Sequence, residues 1–190
     1  MGEYKIIGTK TLFKSEKVQV DRETISLPNG NQAEWDVMVY PDFYIAVTIN
    51  NEKVLMTREW RQGPHDFLTQ FTKARAPHKT EEENLAEITR ELKEEMGVEG
   101  GDFEKVVRFA QGERLTGFCT VYFVTNFTLS ETSRDANEIQ EIIELPIKNL
   151  YQELSTRYTV MPETLLIAKI LEERFGNNLQ KLNQNHLLHW

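Results

Sequence analysis

Residues 82–98 constrain the fold most, because they combine a helical repeat of apolar side chains with a helical repeat of glutamates. At about 100° per residue, an apolar stripe forms along one face of the helix, made of Leu85, Ile88, Leu92 and Met96. A neighbouring arc of about 100° carries four carboxylates, those of Glu87, Glu91, Glu94 and Glu95. The apolar stripe predicts a contact with the core. The acidic arc predicts either a solvated face or a cation site, since like charges three or four residues apart destabilise a helix by about 0.2–0.5 kcal/mol per pair.

Capping residues flank this helix at both ends. Thr80 followed by Glu83 forms a capping box, and Glu81 and Glu82 lie near the positive end of the helix dipole. Gly97 suits the left-handed position that closes a helix. The pattern therefore predicts a helix of about 17 residues that ends at Gly97.

Composition and charge limit the class of protein. The chain has 190 residues, enough for a substantial core in one domain with an appendage or in two small domains. A net charge of −8 argues against a surface that binds nucleic acid or an anionic membrane. Cys119 is the only cysteine, which excludes an intrachain disulfide. Because the sequence has no apolar run of membrane-spanning length and no cationic-apolar leader, we expect a cytoplasmic protein without a membrane segment.

Strand patterns precede and follow the acidic helix. Residues 4–47 alternate apolar and polar side chains and predict a β-meander, and a second hairpin joins 44–49 to 53–58. The remaining predicted elements are strands at 103–110, 120–127 and 139–145 and an amphipathic helix at 162–175. Strands and helices alternate without a βαβ rhythm. This order predicts an α+β fold, an α/β/α sandwich with a mixed sheet, preceded by a small N-terminal antiparallel sheet.

Residues 90–98, R-E-L-K-E-E-M-G-V, resemble the R-E-U-x-E-E-x-G-U core of the Nudix box, where U is aliphatic. The glutamate that the box has eight residues before its arginine is Glu82. Nudix enzymes cleave nucleoside diphosphates linked to a further group. The resemblance implies that Glu91, Glu94 and Glu95 bind magnesium, with manganese as the alternative, and act in catalysis, while Arg90 orients a glutamate. Oxygen ligands suit these metals better than zinc.

The resemblance extends over residues 4–175 to the ADP-ribose pyrophosphatase branch of the family. It rests on the hairpin residues 27–30, the strand 54–61 and the segment 138–170. That branch reads aliphatic-Arg-Gln-aromatic-Arg where this chain has Thr57-Arg58-Glu59-Trp60-Arg61. The resemblance makes Arg61, with Arg58 beside it, the candidate for binding the substrate, because arginine forms bidentate contacts with phosphate.

The branch also implies how the chain is divided and assembled. Its N-terminal strands lie ahead of the Nudix fold and pair two subunits. We therefore expect a dimerisation segment at 1–42, a Nudix domain at 43–175 and a tail at 176–190, in a homodimer. The four histidines have no metal-binding spacing within a predicted helix; they are His65, His78, His186 and His189.

Two positions depart from the family pattern. The box has a glycine six residues before Glu82, where this chain has Ala76, and an alternative alignment puts Ala74 there. Glycine allows a backbone conformation or a close approach that a Cβ can forbid, so the loop should differ in shape. In the branch, a loop before the last strand carries a glutamate that activates or positions water, where this chain has Ala136. Glu138 is the candidate base, and the alternatives are Asp135, Glu131 or a box glutamate.

These features predict a magnesium-dependent hydrolase that cleaves the pyrophosphate bond of ADP-ribose or a related nucleoside diphosphate sugar. The products would be a nucleoside monophosphate and a sugar phosphate. Two alternatives stay open. One is a Nudix hydrolase of another nucleoside diphosphate derivative, such as a dinucleotide cofactor, or of a nucleoside triphosphate. The other is a Nudix-like module that binds a nucleotide without cleaving it, which the two departures favour.

Overall fold

The computed structural model describes residues 3–77, 80–132 and 139–176. The N-terminal part is a three-stranded antiparallel sheet with β2 between β1 and β3. Its strands are β1 (Lys5–Lys14), β2 (Gln19–Ser26) and β3 (Gln32–Val39). Between β2 and β3 the chain turns at Gly30, whose φ of 85° favours glycine. The predicted meander at residues 4–47 is confirmed as a small separate sheet for its first three strands, whereas residues 43–47 belong to the main sheet.

Among the described residues, the main sheet has seven strands. They are β4 (Phe43–Asn50), β5 (Lys53–Arg61), β6 (Asp66–Gln70), β7 (Thr72–Arg75), β9 (Asp102–Ala110), β10 (Phe118–Thr125) and β12 (Ile139–Pro146). The order along the sheet is β12-β5-β4-β10-β9, with β6 paired to β5 and β7 paired to β4. The sheet is mixed, because β10 runs parallel to β4 while the other neighbours are antiparallel. Two short strands, β8 (Val98–Glu99) and β11 (Thr128–Leu129), pair with each other.

Helices cover both faces of the main sheet. They are α1 (Glu81–Met96), α2 (Leu150–Arg157) and α3 (Pro162–Leu171), and α3 continues into a π-helical turn, Glu172–Gly176. On one face, Ile88, Leu92 and Met96 of α1 pack into a core with strand residues of β4 and β10. On the other face, α2 and α3 bury Leu154, Ile167 and other apolar residues against the same strands. This arrangement confirms the predicted α+β class with a mixed sheet between helical layers.

The acidic helix begins and ends where its capping residues predict. The Thr80 hydroxyl accepts a hydrogen bond from the Glu83 N–H at 3.3 Å and donates to the Glu83 carboxylate at 2.8 Å. Gly97 has a φ of 68°, and a Cβ there would lie 2.2 Å from the Ser130 carbonyl oxygen. Glycine is therefore required for both its conformation and its close approach to the chain after β11.

Several elements differ from the sequence prediction. The short strands β6 and β7 and the helix α2 lacked a sufficient periodic pattern and were not predicted. The predicted helix at 162–175 ends as an α-helix at Leu171, four residues early. His78, the loop with Asp135 and Glu138, and the tail residues 177–190 lie outside the described residues. None of the helices in the described ranges has the length and apolar character that a bilayer crossing would require.

Candidate active site

A cleft of about 620 Å³ opens beside α1, at the ends of β5, β6 and β7 and at the start of α3. Its polar lining includes the carboxylates of Glu59, Glu87, Glu91 and Glu95. Its cationic lining comes from Arg61, Lys73 and Arg75. The cleft therefore places negative groups that suit a metal next to positive groups that suit a phosphate, within one space.

Arg90 neutralises much of the acidic face of α1. Its guanidinium donates to Glu87 at 2.6 Å, to Glu91 at 2.5 Å and to Glu94 at 2.5 Å. These contacts raise the pKa of Arg90 further above its ordinary value, with the hydrogen bond to Glu87 as the first cause. Part of the repulsion expected from the sequence is therefore already relieved within the helix, before any metal binds.

The carboxylate of Glu95 lies deeper than the others of α1. Its Oε2 atom is fully shielded and has no hydrogen-bond partner among the residues that the structure describes. The pKa of Glu95 is raised to about 8, mainly by burial and in smaller part by the negative charge of Glu59, whereas a hydrogen bond from Thr72 opposes the rise. A buried, unpartnered carboxylate oxygen is costly without a cation or a proton. This orphaned oxygen fits a divalent metal.

Glu91 and Glu94 occupy different surroundings from Glu95. Glu91 lines the cleft, and burial raises its pKa while Arg90 lowers it. Glu94 is nearly half exposed, pairs with Arg90 and does not line the cleft. Within residues 3–77, 80–132 and 139–176, no three carboxylate, imidazole or thiolate groups already surround one point as metal ligands. The donor set is all carboxylate, which suits magnesium or manganese.

Glu59 is a site residue that the sequence reasoning missed. It is only 4% exposed, although it lies at the end of β5 beside the cleft. The Thr57 hydroxyl donates to its Oε1 at 2.5 Å, and the Arg61 guanidinium pairs with its Oε2. The sequence did contain a signal for it, because this chain has a glutamate where the ADP-ribose branch has a glutamine.

The two candidate substrate arginines lie in different places. Arg61 lines the cleft beside Glu59. Arg58 is not among the lining residues; it pairs with Glu141 at 3.3 Å and lies 5.4 Å from the centre of the Phe67 ring. Its role in binding substrate stays a prediction, which this geometry does not support. Arg58 instead joins β5 to β12 at the surface.

Two further cations of the cleft come from β7 and were not predicted. Lys73 pairs with Glu163 of α3 at 2.5 Å, and both side chains are about one-fifth exposed. Arg75 has no carboxylate partner among the residues that the structure describes. Because Arg61 and Lys73 are already paired, Arg75 is the cation most readily available to an incoming anion.

The alanines at the expected glycine position pack into the core, and a difference in loop shape from the family stays a prediction. Ala74 and Ala76 are buried against α1, and the Ala76 N–H donates to the Asp42 carbonyl at 2.7 Å. Neither residue has a positive φ. The Cβ atoms fill the core between β7 and α1, so alanine is compatible with this loop. Glu138 and Asp135 lie outside the described residues, and Glu131 is exposed.

Comparison with known proteins adds two relatives that span nearly the whole chain. No family model matches it. The chain is 23% identical over 177 residues to the methanol dehydrogenase activator of Bacillus methanolicus, covering 90% of this chain and 93% of the relative. It is 21% identical over 186 residues to the ADP-ribose pyrophosphatase of Bacillus subtilis (strain 168), covering 94% of this chain and 98% of the relative.

A solved structure shares the fold. The crystal structure of an ADP compounds hydrolase superposes with a TM-score of 0.75 at 15% identity, over 94% of this chain and 97% of that one. The chain is thus similar over nearly its whole length to an ADP-ribose pyrophosphatase and shares the fold of an ADP compounds hydrolase. The resemblance inferred from residues 90–98 and from the flanking strands is therefore confirmed. These relatives point to a hydrolase, as the sequence predicts.

Proposed function

We propose that this Nudix protein hydrolyses the pyrophosphate bond of ADP-ribose or of a related nucleoside diphosphate sugar, with magnesium or manganese as the metal. The products are a nucleoside monophosphate and a sugar phosphate. The observation that carries the proposal is the cleft, in which the orphaned carboxylate oxygen of Glu95 lies in the same space as Arg61 and Arg75. The relatives named for ADP-ribose and for ADP compounds support the same reaction class.

The carboxylates of Glu91, Glu94 and Glu95 are the proposed metal ligands. The metal would neutralise the phosphate charges and lower the pKa of a bound water. Arg90 donates to the carboxylates of Glu91 and Glu94 and would orient them, and it makes no hydrogen bond to the buried oxygen of Glu95. If either of these two carboxylates bound the metal, Arg90 would keep Glu87 as a partner.

The diphosphate is the group that the cations of the cleft bind in this proposal. Arg75 offers a guanidinium group with no carboxylate partner in the described ranges, and Arg61 offers the guanidinium hydrogens that Glu59 does not use. Glu138, whose place is outside the described residues, remains the candidate base on sequence grounds alone. The proposed roles of the chain's own groups are thus to hold the metal, to bind the two phosphates and to exclude bulk water at Glu95.

A homodimer is the proposed assembly, and the N-terminal sheet supports it. Strand β1 is exposed along nearly its whole length. Large apolar side chains of this sheet face solvent in the single chain, among them Ile6, Phe13 and Trp35, each at least half exposed. Three strands need a buried apolar face to be stable, and a second copy would supply it. Sedimentation at micromolar concentration should give twice the 22.2 kDa chain mass, and a monomer would refute the dimer. A cytoplasmic location stays a prediction from sequence alone.

A substrate panel with product identification tests the proposed reaction. We expect metal-dependent release of a nucleoside monophosphate and a sugar phosphate from ADP-ribose or another nucleoside diphosphate sugar, and none from the Glu95→Gln variant. The panel should include a dinucleotide cofactor and a nucleoside triphosphate. Brisk turnover of the triphosphate, without turnover of any nucleoside diphosphate sugar, would contradict the substrate class. Ligand binding by calorimetry without any turnover would instead identify a binding module.

A further inference from the structure

The cationic side chains of the cleft differ in how much of their charge is already neutralised. Arg61 pairs with Glu59, and Lys73 pairs with Glu163 at 2.5 Å. Arg75 lines the same cleft and has no carboxylate partner in the described part of the chain. On the side of the strands, the described lining residues therefore include three cationic groups but only one uncompensated positive charge.

Glu59, which neutralises Arg61, is fixed in the wall of the cleft. Its side chain is only 6% exposed, whereas that of Arg61 is 44% exposed. The Thr57 hydroxyl donates to its Oε1 at 2.5 Å, and the Arg61 guanidinium donates to its Oε2. The backbone of Glu59 lies opposite Leu68 in the pairing of β5 with β6. The carboxylate is therefore held at both oxygens as a permanent negative charge of the cleft.

The charge of Glu59 reaches other groups of the cleft. Glu59 and Glu95 line the same space, and the pKa of Glu95 is raised first by burial and then by the negative charge of Glu59. Charges interact more strongly in a partly buried space than in bulk water, because the effective dielectric constant is lower. An anion that enters the cleft therefore meets the negative charge of Glu59 together with the positive charge of Arg61.

Nucleotides differ in the charge that they would bring into this cleft. In a nucleoside diphosphate sugar both phosphates are esterified, so each carries about one negative charge. A terminal phosphate, as in ADP or ATP, has a second ionisable oxygen and carries about −1.5 to −2 charges at neutral pH. The additional charge is best stabilised by an additional cation. Arg61 could serve as that cation only if its charge were not neutralised by Glu59.

We propose that Glu59 is a specificity-determining residue, which favours pyrophosphates that are esterified at both ends over nucleotides with a terminal phosphate. It acts through Arg61, whose neutralised guanidinium offers the substrate hydrogen-bond donors without a net positive charge. Glu59 is thus a positioning residue that does not itself contact the substrate. The inference rests on the proposed function and deepens it, because it assigns the choice between two substrate classes to one side chain.

The Glu59→Gln variant tests the proposal, because it keeps the size of the side chain and an oxygen for Arg61 but removes the charge. The probes are ADP-ribose as substrate and ADP as competing ligand, at saturating magnesium. ADP has the same base, ribose and two phosphates but ends in a phosphate monoester. We expect the inhibition constant of ADP to fall about tenfold, since one charge-assisted contact is gained. The KM of ADP-ribose should change by less than about threefold.

Glu141→Gln is the matched control. Glu141 pairs at 3.3 Å with Arg58, which lies on β5 like Arg61, but neither residue of this pair lines the cleft. The substitution removes the same charge from the protein, so both constants should stay within about twofold of wild type. Equal tightening of ADP in both variants would assign the effect to the net charge of the protein and would overturn the proposal. A damaged fold would not bind ADP more tightly.

Arg61→Gln, alone and combined with Glu59→Gln, tests whether the effect passes through Arg61. The quantity to compare is the ratio of the inhibition constant of ADP to the KM of ADP-ribose. We expect Glu59→Gln to lower this ratio when Arg61 is present and to leave it unchanged when Arg61 is replaced. The same decrease in both backgrounds would mean that Glu59 repels the terminal phosphate directly, and the assigned role would be wrong.

Failure of this inference can be distinguished from failure of the proposed function. If wild type cleaves ADP-ribose but Glu59→Gln does not tighten ADP, the role of Glu59 is wrong while the function stands. If wild type cleaves no nucleoside diphosphate sugar, the function fails, and dissociation constants of ADP and ADP-ribose from calorimetry decide the role of Glu59. A gain of about tenfold for ADP alone would then support it, and an equal gain or none would contradict it.

Discussion

The two walls of the cleft neutralise their charges in different ways. On α1, one guanidinium, that of Arg90, serves three glutamates of the same helix. On the strand wall, Glu59 has its own partner in Arg61, and Arg75 has no carboxylate partner in the described part of the chain. The helical wall therefore keeps a surplus of negative charge for a cation, whereas the strand wall keeps a free cation for an anion.

This difference explains why the sequence predicted the charged groups of α1 but, on the strand wall, predicted only Arg61. The charges of α1 are neighbours at a spacing of three or four residues, which a helix brings together without help from the rest of the fold. The charges of the strand wall come together only through the pairing of β4 with β7 and of β5 with β6. Sequence spacing does not contain that register.

The largest expected effect is on the helical wall, where Glu95→Gln should abolish most of the activity. The substitution keeps the shape of the side chain but removes the charge of the buried oxygen that has no partner. We expect kcat/KM on the best substrate to fall by about a hundredfold or more. The measurement is steady-state hydrolysis at saturating magnesium. A loss of less than about tenfold would remove Glu95 from the proposed metal ligands.

The matched control for that experiment is Glu83→Gln. Glu83 is an exposed glutamate in the first turn of the same helix, and it does not line the cleft. Its substitution weakens only the capping box, so kcat/KM should stay within about twofold of wild type while stability falls by about 0.5–1 kcal/mol. An equal loss of activity in both variants would point to a general effect on α1.

The next effect in size concerns the response of the helical wall to metal. At a magnesium concentration a hundred times its dissociation constant, binding should stabilise wild type by about 2.7 kcal/mol. That corresponds to a rise in melting temperature of about 5–10 °C for a domain of this size. Glu91→Gln should gain much less. Without metal it should melt at the same or a slightly higher temperature, because it removes a carboxylate whose pKa is raised by burial and leaves Arg90 two partners.

Melting curves with and without magnesium decide between a metal site and a solvated acidic face. If wild type and Glu91→Gln respond to magnesium alike, the acidic face of α1 is only a solvated surface. A salt control at matched ionic strength is needed, because surface charges also respond to screening.

On the strand wall, Arg75→Ala should weaken substrate binding while Arg58→Ala should not. Arg75 lines the cleft and has no carboxylate partner within residues 3–77, 80–132 and 139–176, whereas Arg58 pairs with Glu141 at the surface. We expect KM to rise about tenfold for Arg75→Ala, the loss of one charge-assisted contact, and to change less than about twofold for Arg58→Ala. The reverse result would restore Arg58 as the substrate-binding arginine and would place the diphosphate on the outer side of β5.

The elements of the fold that the sequence predicted depend on local contacts, and the elements that it missed depend on contacts between distant segments, as with the charges. The limits of α1 were predictable because Thr80 and Gly97 cap it locally. The short strand β7 was not, since its four residues form a strand only by pairing with β4. The burial of Ala76 was not predicted either. The sequence showed only that a Cβ replaces the expected glycine, and the structure places Ala76 in the core beneath α1.

The smallest expected effect comes from the repulsion between Glu95 on the helical wall and Glu59 on the strand wall. It changes how the free energy of unfolding depends on pH in the absence of metal. The pKa of Glu95 is raised to about 8 in the folded protein, first by burial and then by the charge of Glu59. A carboxyl group whose pKa is higher in the folded than in the unfolded state binds its proton more tightly when folded. Its contribution is therefore favourable below the unfolded value of about 4.5 and is lost as the pH rises from there to about 8.

Glu59→Gln, which introduces the residue typical of the branch, should reduce this pH dependence. Glutamine still offers an oxygen to Arg61, but it no longer repels a charged Glu95, so the pKa of Glu95 should fall by less than about one unit. The measurement is the free energy of unfolding, from urea titrations at pH 5 and at pH 8 in the presence of a chelator. The difference between the two pH values should be smaller in Glu59→Gln than in wild type, by up to about 1 kcal/mol. Glu95→Gln should remove most of the difference. If Glu59→Gln leaves the wild-type difference unchanged while Glu95→Gln removes it, burial alone sets the pKa of Glu95, and the two walls of the cleft act independently.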